Sequence, residues 1–412
     1  MQPREFFASE HDIDSKLIDA DALHVLVRLR EAGFTAYLVG GSVRDLLRKQ
    51  RPKDYDISTS ARPEQVKSVF GRQCILIGKR FRLAHVRFGR KVFEVATFRA
   101  GENESDLIIH DNEWGSPEED ALRRDFTING LFYDPVMHTV IDYVGGWEDI
   151  HKKVLRSIGD PLVRFKQDPV RMLRLIKFRV RCGFEIDSIT EQALEQCKEE
   201  ITKSSYARIL EEMLRMLESG YSAPFFDRML KSGMLHVLMP QLAEFLQSPH
   251  GQSVNSYLTN ADKICQAYGA GTINRGVLTA CLLFPYLEQQ IQEQYLSKST
   301  LPNLGDIMLM STGVIKDLLW SAFSHFPRRL SAMIGFILAT QYRLTPFSHK
   351  KHMSLKLLHH KEFILALKFL KVRSLVDPRL DGQYLEWKKL FKQIDRRGEH
   401  KSHSHHSSMH SP

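Results

Sequence analysis

The stretch at 36–58, AYLVGGSVRDLLRKQRPKDYDIS, constrains the fold more than any other part of the chain. An apolar, β-prone run leads into Gly40 and Gly41, where the missing side chains allow a sharp turn and a close approach to a ligand. Ser42 is a candidate N-cap, and the apolar spacing after it predicts a short helix. The pattern therefore predicts a strand, a turn and a helix whose free N–H groups, together with Arg44, suit a phosphate.

A second predicted strand, at 54–57, carries two aspartates. The alternation of side chains along a strand places Asp54 and Asp56 on one face and Tyr55 and Ile57 on the other. Two adjacent carboxylates repel each other unless a cation lies between them, and oxygen ligands favour Mg²⁺ or Mn²⁺. A phosphate-binding turn followed by a divalent-metal pair predicts nucleotidyl transfer. Alone, each feature is more often an ordinary turn or a solvated loop.

The order and spacing of these residues resemble the signature of the class II tRNA nucleotidyltransferase and bacterial poly(A) polymerase family. That family shares a GGxVRD turn, here at 40–45, and a DxD strand, here Asp54-Tyr55-Asp56. The resemblance implies an α+β fold in which a small mixed-sheet nucleotidyltransferase palm, similar to that of polymerase β, precedes an all-α neck, body and tail. It also implies ATP as a substrate, RNA 3′ ends as acceptors, and Mg²⁺ or Mn²⁺ as the cofactor.

Two further motifs of the family follow in order. Arg123-Arg124-Asp125 matches its RRD motif, in which two guanidiniums can bind triphosphate or ribose while the aspartate orients them. The stretch at 168–171, DPVR, resembles the EDxxR motif, whose aspartate and arginine read the base edge of the incoming nucleotide. The glutamate of that motif is Gln167 here, which leaves any role of its charge open.

The predicted helix that follows, at 170–182, ends at Gly183 and carries a basic stripe. Such a stripe is usually a solvated face, and Asp168 before it can be an ordinary N-cap, so both readings stay open beside nucleotide binding. The stripe has spacings of three, three and four residues: Arg171, Arg174, Lys177 and Arg181.

We predict that Asp54, Asp56 and Asp125 are the catalytic residues, with Asp54 and Asp56 holding Mg²⁺. Glu94, in a predicted strand at 92–98, is a third candidate metal ligand that would complete a two-metal site, although strand glutamates often face water. The residues predicted to bind the nucleotide are Gly40, Gly41, Arg44, Arg124, Asp168, Arg171 and Arg174.

The positive charge of the chain is concentrated at its C-terminal end. From Arg343 onward there are 15 Lys and Arg against 6 Asp and Glu, which accounts for the whole formal net charge of +9. A basic arm of this kind is expected to contact RNA, although a soluble, partly disordered tail has the same composition. The last residues, at 396–412, form a His-rich, low-complexity segment that we predict to be disordered.

The chain is long enough for two to four domains. We predict an N-terminal extension and helix at 1–34, the palm at 35–160, a helical nucleotide- and RNA-binding neck and body at 161–242, and a helical C-terminal region with a basic surface at 243–395. The five scattered cysteines lack any metal-binding spacing, and no apolar run reaches the length of a membrane span. We therefore expect free thiols, no membrane and a cytoplasmic protein.

The choice of product depends on one segment, at 76–86, which resembles the signature that distinguishes poly(A) polymerases within the family. Its basic residues Lys79, Arg80 and Arg82 could bind RNA phosphates without reading sequence. We therefore predict AMP addition to RNA 3′ ends, on mRNA or tRNA. Addition of CCA to tRNA is the first alternative. A catalytically inactive RNA-binding protein is the second, which the intact aspartate pair argues against.

Overall fold

The glycine-turn strand lies inside a mixed sheet, with neighbours on both sides. The computed structural model describes residues 2–77, 83–100, 114–323, 325–347 and 355–406. Within these residues the strands are β1 Arg4–Phe6, β2 Ala36–Val39, β3 Asp56–Thr59, β4 Cys74–Ile77, β5 Leu83–Phe88, β6 Lys91–Thr97, β7 Leu131–Asp134, β8 Thr139–Asp142, β9 Val154–Leu155 and β10 Glu185–Ile186. The first eight form one sheet in the order β1-β8-β7-β2-β3-β6-β5-β4, and β9 pairs in parallel with β10.

Helices flank the sheet and form the rest of the chain. They are α1 Ala8–His11, α2 Ala20–Glu31, α3 Gly41–Leu47, α4 Pro63–Phe70, α5 Pro117–Leu122, α6 Gly146–Lys152, α7 Pro161–Gln167, α8 Val170–Cys182, α9 Ser188–Cys197, α10 Tyr206–Leu217, α11 Ser222–Lys231, α12 Met234–Leu238, α13 Pro240–Gln247, α14 Gln252–Tyr268, α15 Arg275–Gln294, α16 Leu304–Ile315, α17 Arg328–Leu344, α18 Phe363–Val376 and α19 Asp381–His406. This α+β architecture confirms the predicted fold class.

The chain divides into two compact units, Met1–Glu200 and Ile201–Pro412. The first contains the sheet and α1 to α9, and the second contains α10 to α19. The boundary predicted at residue 160 lies inside the first unit, where α7 packs against α8 and α9. The five predicted domain ranges stay predictions.

The strand register brings the glycine turn and the acidic residues of the first motif together in space. Strand β2 is antiparallel to both β3 and β7, so Val39, which precedes the glycine turn, lies opposite Asp56. Strand β3 is parallel to β6, and Asp56 lies opposite Glu94 there. The glycine turn and the acidic residues therefore meet at the same end of the central strands.

Burial explains why the first unit holds this register. Helices α2 and α4 pack on the sheet, and their apolar faces bury Leu26, Leu29 and Val66. The strands contribute fully buried Leu38 and Ile57 to the core. A shift of one residue would exchange the buried and exposed faces of each strand, so this core fixes the pairing.

Several predicted elements agree with the structure because their signals are local. The sequence pattern predicts a helix at 63–70 and a strand at 83–88, and α4 and β5 have these bounds. Helix α8 ends at Gly183 in the left-handed conformation (φ 66°). The sequence SPEE at 116–119 predicts a capping box at a helix start, which α5 forms. Ser116 and Glu119 make reciprocal capping bonds there, with Ser116 N–H donating to Glu119 Oε2 at 2.7 Å.

Three details of the sequence interpretation are wrong. Ser42 lies within α3, where its hydroxyl donates to the Val39 carbonyl (2.9 Å), and Gly40 is the N-cap. Strand β3 begins at Asp56, so Asp54 precedes the strand, although exposed and buried side chains alternate as predicted. The sequence pattern predicts that the helix starting at 117 continues through the RRD motif, but α5 ends at Leu122.

The second unit is a helical body with a polar centre. Helices α14, α15, α17 and α18 pack together around the rings of Tyr257, Phe284 and Phe369. The buried Arg373 guanidinium lies 4.5 Å from the Phe284 ring centre and donates to Thr345 Oγ1 at 3.0 Å. The hydrogen bond and the ring stabilise a charge that would be costly to bury alone.

Helix α19 runs through the boundary predicted at 396, and residues 407–412 lie outside the described residues. Disorder of the His-rich tail therefore stays a prediction. All five cysteines are free, as predicted, and the structure buries all of them. Within the residues described above, we find no helix with both the length and the apolar character that crossing a membrane requires.

Candidate active site

The glycine turn between β2 and α3 forms one wall of the site. Gly40 has φ 67° and ψ −127°, a conformation that side chains rarely tolerate. A Cβ at this position would lie 3.0 Å from Nη1 of Arg124, so the turn and the RRD motif are in close contact. The Gly40 N–H donates to the Leu131 carbonyl (3.2 Å), which ties the turn to β7.

The Arg124 guanidinium is held against this turn from several directions. It donates to Asp120 Oδ2 at 2.8 Å, to Ser58 Oγ at 3.3 Å and to the Asn129 carbonyl at 3.4 Å. Its carbon Cζ lies 5.4 Å from the centre of the Phe132 ring. The buried Nε has no hydrogen-bond partner among the described residues. The guanidinium is thus fixed in direction, as an anion-binding group needs to be.

Three carboxylates lie near the start of β3 and the middle of β6, where the two strands pair. Asp54 and Asp56 are both exposed, and Glu94 is directly across from Asp56 in the parallel pair. The pKa of the Asp56 carboxyl is raised, first by desolvation and then by the charges of Glu94 and Asp54, against the opposing effect of Arg124 and Arg174.

This donor set fits a divalent cation. Mg²⁺ in proteins is commonly bound by one or two carboxylates, with substrate phosphates and waters supplying the other ligands. Among the described residues, no three His, Cys, Asp or Glu side chains converge closely enough to hold a metal by themselves. Asp54 and Asp56 would therefore hold the ion together with the substrate. Glu94 is 57% exposed and lies 3.7 Å from the His85 ring, so its role as a ligand stays a prediction.

Asp125 lies beneath the site and connects its parts. Its Oδ1 accepts hydrogen bonds from the Phe126 N–H (2.9 Å) and the Asn129 side chain (3.1 Å). Its Oδ2 pairs with Arg174 at 2.7 Å. Burial by itself would raise the pKa of this carboxyl. The Arg174 charge, the two hydrogen bonds and the Arg171 charge together hold the pKa below its ordinary value of 3.8.

Arg44 is turned into the protein. Its side chain is 5% exposed, pairs with Asp45 at 2.8 Å and donates to Asn129 Oδ1 at 2.7 Å. The guanidinium also lies 5.1 Å from the Phe178 ring centre. Arg44 therefore supports the glycine turn in this conformation, and direct contact with a phosphate stays a prediction. Gly41 is beside it, 3.5 Å from Arg44 Nη2 to a Cβ placed there.

The predicted base-reading residues lie along the start of α8. Arg171 is buried and donates to the carbonyls of Arg123 (3.3 Å) and Arg164 (3.4 Å). Asp168 is half-buried, and the neighbouring Gln167 has a buried Oε1 without a hydrogen-bond partner among the described residues. Arg171 thus supports the backbone of the RRD motif, and base reading by Asp168 and Arg171 stays a prediction.

Arg174 differs from Arg171 because its side chain remains 39% exposed while it pairs with Asp125. Its charge also lowers the pKa of Asp56, which places it near the carboxylates. The structure therefore brings Gly40, Arg124, Arg174, Asp125 and Asp56 into one site.

Sequence reasoning missed residues that orient this site. Asp120 holds Arg124 from four positions earlier on the chain, and Asn129 joins Arg44 to Asp125. Arg164 donates to the carbonyls of Arg123 (2.7 Å) and Arg124 (2.8 Å). Among these contacts, only the one between Asp120 and Arg124 has a sequence signal, because opposite charges four residues apart can form an ion pair.

Family profiles match two parts of the chain. The profile described as "Poly A polymerase head domain" matches residues 36–156, and the one described as "Probable RNA and SrmB-binding site of polymerase A" matches residues 183–246. The first covers the glycine turn, the acidic residues and the RRD motif.

Curated relatives and solved structures agree with these matches. Poly(A) polymerase I of Escherichia coli O157:H7 is 35% identical over 400 residues, which cover 93% of this chain and 83% of the relative. The CCA-adding enzyme of Lactobacillus helveticus is 40% identical over 209 residues, which cover 50% of this chain and 52% of that enzyme. The structure of the Bacillus stearothermophilus CCA-adding enzyme in complex with CTP matches with a TM-score of 0.58 at 24% identity, over 90% of this chain and 82% of that one. The last similarity concerns the fold.

The contact between Gly40 and Arg124 generates a prediction. Gly40→Ala should reduce catalytic activity about tenfold, because the added methyl group would lie 3.0 Å from Nη1 of Arg124 and must shift the guanidinium by a few tenths of an ångström. Small displacements of a positioned group are costly in an active site. The measurement is the steady-state rate of nucleotide addition to an RNA primer.

Gly71 offers a matched control for that variant. It has nearly the same backbone conformation (φ 52°, ψ −121°), but a Cβ there would meet nothing within 4 Å. Gly71→Ala should lower thermal stability by a similar amount and leave the rate per folded molecule unchanged. Equal losses of rate in both variants would show that strain, and not the Arg124 contact, is responsible.

The buried Asp125 pair generates a second prediction. A carboxyl with a lowered folded-state pKa contributes stability above its ordinary pKa of 3.8 and loses that contribution as pH falls through the folded value. Asp125→Asn should therefore be less stable by about 2 kcal/mol near neutral pH, since hydrogen bonds to a charged group are lost but Arg174 is 39% exposed and water can hydrate its charge. The difference should shrink below about pH 4. Urea unfolding across this pH range measures it; a difference that stays constant with pH would contradict the ionised pair.

Proposed function

Because this chain belongs to the family of RNA nucleotidyltransferases that includes bacterial poly(A) polymerase I and the CCA-adding enzymes, we propose that it adds AMP from ATP to RNA 3′ ends without a template. One observation carries the choice of product. Similarity to poly(A) polymerase I extends over 93% of the chain, whereas similarity to the CCA-adding enzyme of Lactobacillus helveticus covers 50%. The signature at 76–86 supports the same choice, although its residues 78–82 lie outside the described residues.

The acidic residues are the proposed binding site for a cation. Asp54 and Asp56 would hold Mg²⁺, supported by the raised pKa of Asp56 next to two other carboxylates. When bound, such an ion neutralises triphosphate charge and activates the attacking hydroxyl. Glu94 contributes negative charge beside Asp56 and so strengthens the attraction for a cation.

The basic residues account for nucleotide binding. Arg124, fixed by Asp120 and Ser58, would bind the triphosphate or ribose beside the open backbone of Gly40. Arg174 would present its exposed edge to the same nucleotide while Asp125 holds its other side. Such pre-positioned charges stabilise a phosphoryl-transfer transition state because they need little reorganisation.

RNA would be bound through the helical parts of the chain. The family profile over 183–246 carries the description of an RNA-binding site. The basic C-terminal region supports a further contact, since Lys388, Lys389 and Lys392 are exposed on α19. Structures of relatives were solved with tRNA and with ATP, which is consistent with both proposed substrates. We place this activity in the cytoplasm.

An inactive RNA-binding protein is the less favoured function. Mutually repelling carboxylates raise the free energy of the folded state unless a cation binds them, and a scaffold without catalysis has no need of them. CCA addition remains the second candidate because a CCA-adding enzyme is 40% identical to this chain over 209 residues.

Replacement of the carboxylates is the first test. Asp54→Asn and Asp56→Asn should each reduce nucleotide addition to background. RNA affinity should be nearly unchanged, and thermal stability should be equal or slightly higher, because both side chains are exposed and each change removes a repulsion between carboxylates. Primer extension with ATP and Mg²⁺ gives the activity. Asp12→Asn is the control, since Asp12 is 76% exposed and pairs only loosely with Lys49 at 3.6 Å. Substantial activity in both site variants would rule out this assignment.

The product is tested by competition between nucleotides. We expect the protein, given ATP and CTP together, to add long runs of adenylate both to an unstructured RNA and to a tRNA lacking its CCA end. The extended products are then sequenced. Addition of C, C and A to the tRNA alone, followed by arrest, would favour the CCA-adding function over the proposed one.

A further inference from the structure

Helix α16, Leu304–Ile315, has an unusual solvent-facing side. Only one of its residues, Asp306, is charged, whereas α10, which has the same length, carries four charged residues. Leu309 is 75% exposed and Met308 is 56% exposed. The opposite side of α16 is buried against α15 and α17. The helix is therefore apolar on both sides, and only one of them is covered by the second unit.

The apolar residues continue on either side of this helix. Leu301 precedes it, and a single turn of π-helix, Lys316–Trp320, follows it and leaves Trp320 44% exposed. Contiguous exposed apolar surface of this kind marks interaction sites in folded proteins, and π-helical turns often occur at functional sites. We refer to Leu301, Leu304, Met308, Leu309 and Trp320 as the α16 patch.

At the centre of the α16 patch, the exposed side chain of Leu309 lies beside the open surface over Gly313. Leu309 and Gly313 are four residues apart, about one helical turn or roughly 6 Å, and so lie on the same side of the helix. A Cβ placed on Gly313 would meet nothing within 4 Å. The surface over Gly313 is thus an open notch beside the most exposed leucine of the chain's described residues.

The charged residues at the two ends of α16 are equally far in sequence from Ser311, and so are Leu309 and Gly313. Asp306 lies in its first turn and Lys316 directly follows its last residue. Ser311 is the midpoint of the pair 306 and 316 and also of the pair 309 and 313. An antiparallel copy of the helix, related by a two-fold axis at this midpoint, would place Leu309 over Gly313 and Asp306 next to Lys316, twice each.

We propose that the α16 patch is a homodimer interface in which two copies of this chain pack α16 against α16 in antiparallel orientation. Each Leu309 enters the notch at Gly313 of the second copy, and small residues let the two helices approach closely. The shared midpoint of the apolar and the charged pairs favours a second copy over an unrelated partner, because a self-complementary surface meets both requirements with one symmetry operation. The residues of this interface are all in the second unit, whereas the residues of the candidate active site are in the first.

The sharpest test is a substitution that the isolated chain tolerates. Gly313→Ala fills the notch and should raise the dimer dissociation constant about tenfold or more, because overpacked contacts are destabilising. The melting temperature of the monomer should rise slightly, since alanine favours a helix over glycine. A merely structural role for Gly313 would not give this combination of results.

A matched control lies in α19. Gly382 is also an exposed helical glycine with nothing within 4 Å of a Cβ, so Gly382→Ala makes the same chemical change outside the α16 patch. It should raise the melting temperature without altering dimerisation. Leu309→Gln, which removes the projection, and Lys316→Glu, which opposes Asp306 of the second copy, should both weaken the dimer.

Sedimentation velocity of the full chain over about a hundredfold range of concentration gives the dissociation constants. The expected result is a concentration-dependent dimer that Gly313→Ala, Leu309→Gln and Lys316→Glu weaken and Gly382→Ala does not. A wild-type chain that is monomeric at every concentration would overturn the proposal. So would a dimer that Gly313→Ala and Leu309→Gln leave unchanged, since its interface would then lie elsewhere.

Discussion

The site depends on the buried ion pair between Asp125 and Arg174. Asp125 also accepts hydrogen bonds from the Asn129 side chain and the Phe126 N–H, and Asn129 in turn accepts from Arg44 beneath the glycine turn. A buried carboxylate is tolerated only when its charge and hydrogen-bonding capacity are satisfied, so these contacts hold one another in place. Through them, α8, the RRD motif and the start of α3 become one rigid support.

The candidate site above this support contains carboxylates that lie next to one another and repel. Asp56 lies beside Glu94 and Asp54, and its pKa is raised by desolvation and by the charges of these two neighbours. Opposite them, Arg124 is held in place by Asp120 and Ser58. In the proposed function a cation would bind the acidic half of this arrangement and a triphosphate the basic half.

The second unit is stabilised by packing between its helices. Its core buries Arg373 over an aromatic ring, and its helices pack by apolar faces of ordinary periodicity. Helix α16 departs from that pattern because its exposed side lacks the charges that keep other surface helices in water. The proposed pairing of two α16 helices would bury that side, and the helical unit would then have an assembly role separate from RNA binding.

The sequence by itself determined the features with local causes: the glycine turn, the alternation of acidic and buried residues at Asp54 and Asp56, the capping box at Ser116 and the end of α8 at Gly183. Backbone conformation, capping and periodicity act over a few residues, so short motifs are enough. The tertiary structure decided what local patterns cannot encode. Parallel pairing of β3 with β6 places Glu94 beside Asp56, and β7 enters the sheet beside β2. The tertiary structure also turns Arg44 and Arg171 inward, because they donate hydrogen bonds to oxygens from distant parts of the chain. Arg44 donates to the Asn129 side chain and Arg171 to the Arg123 carbonyl.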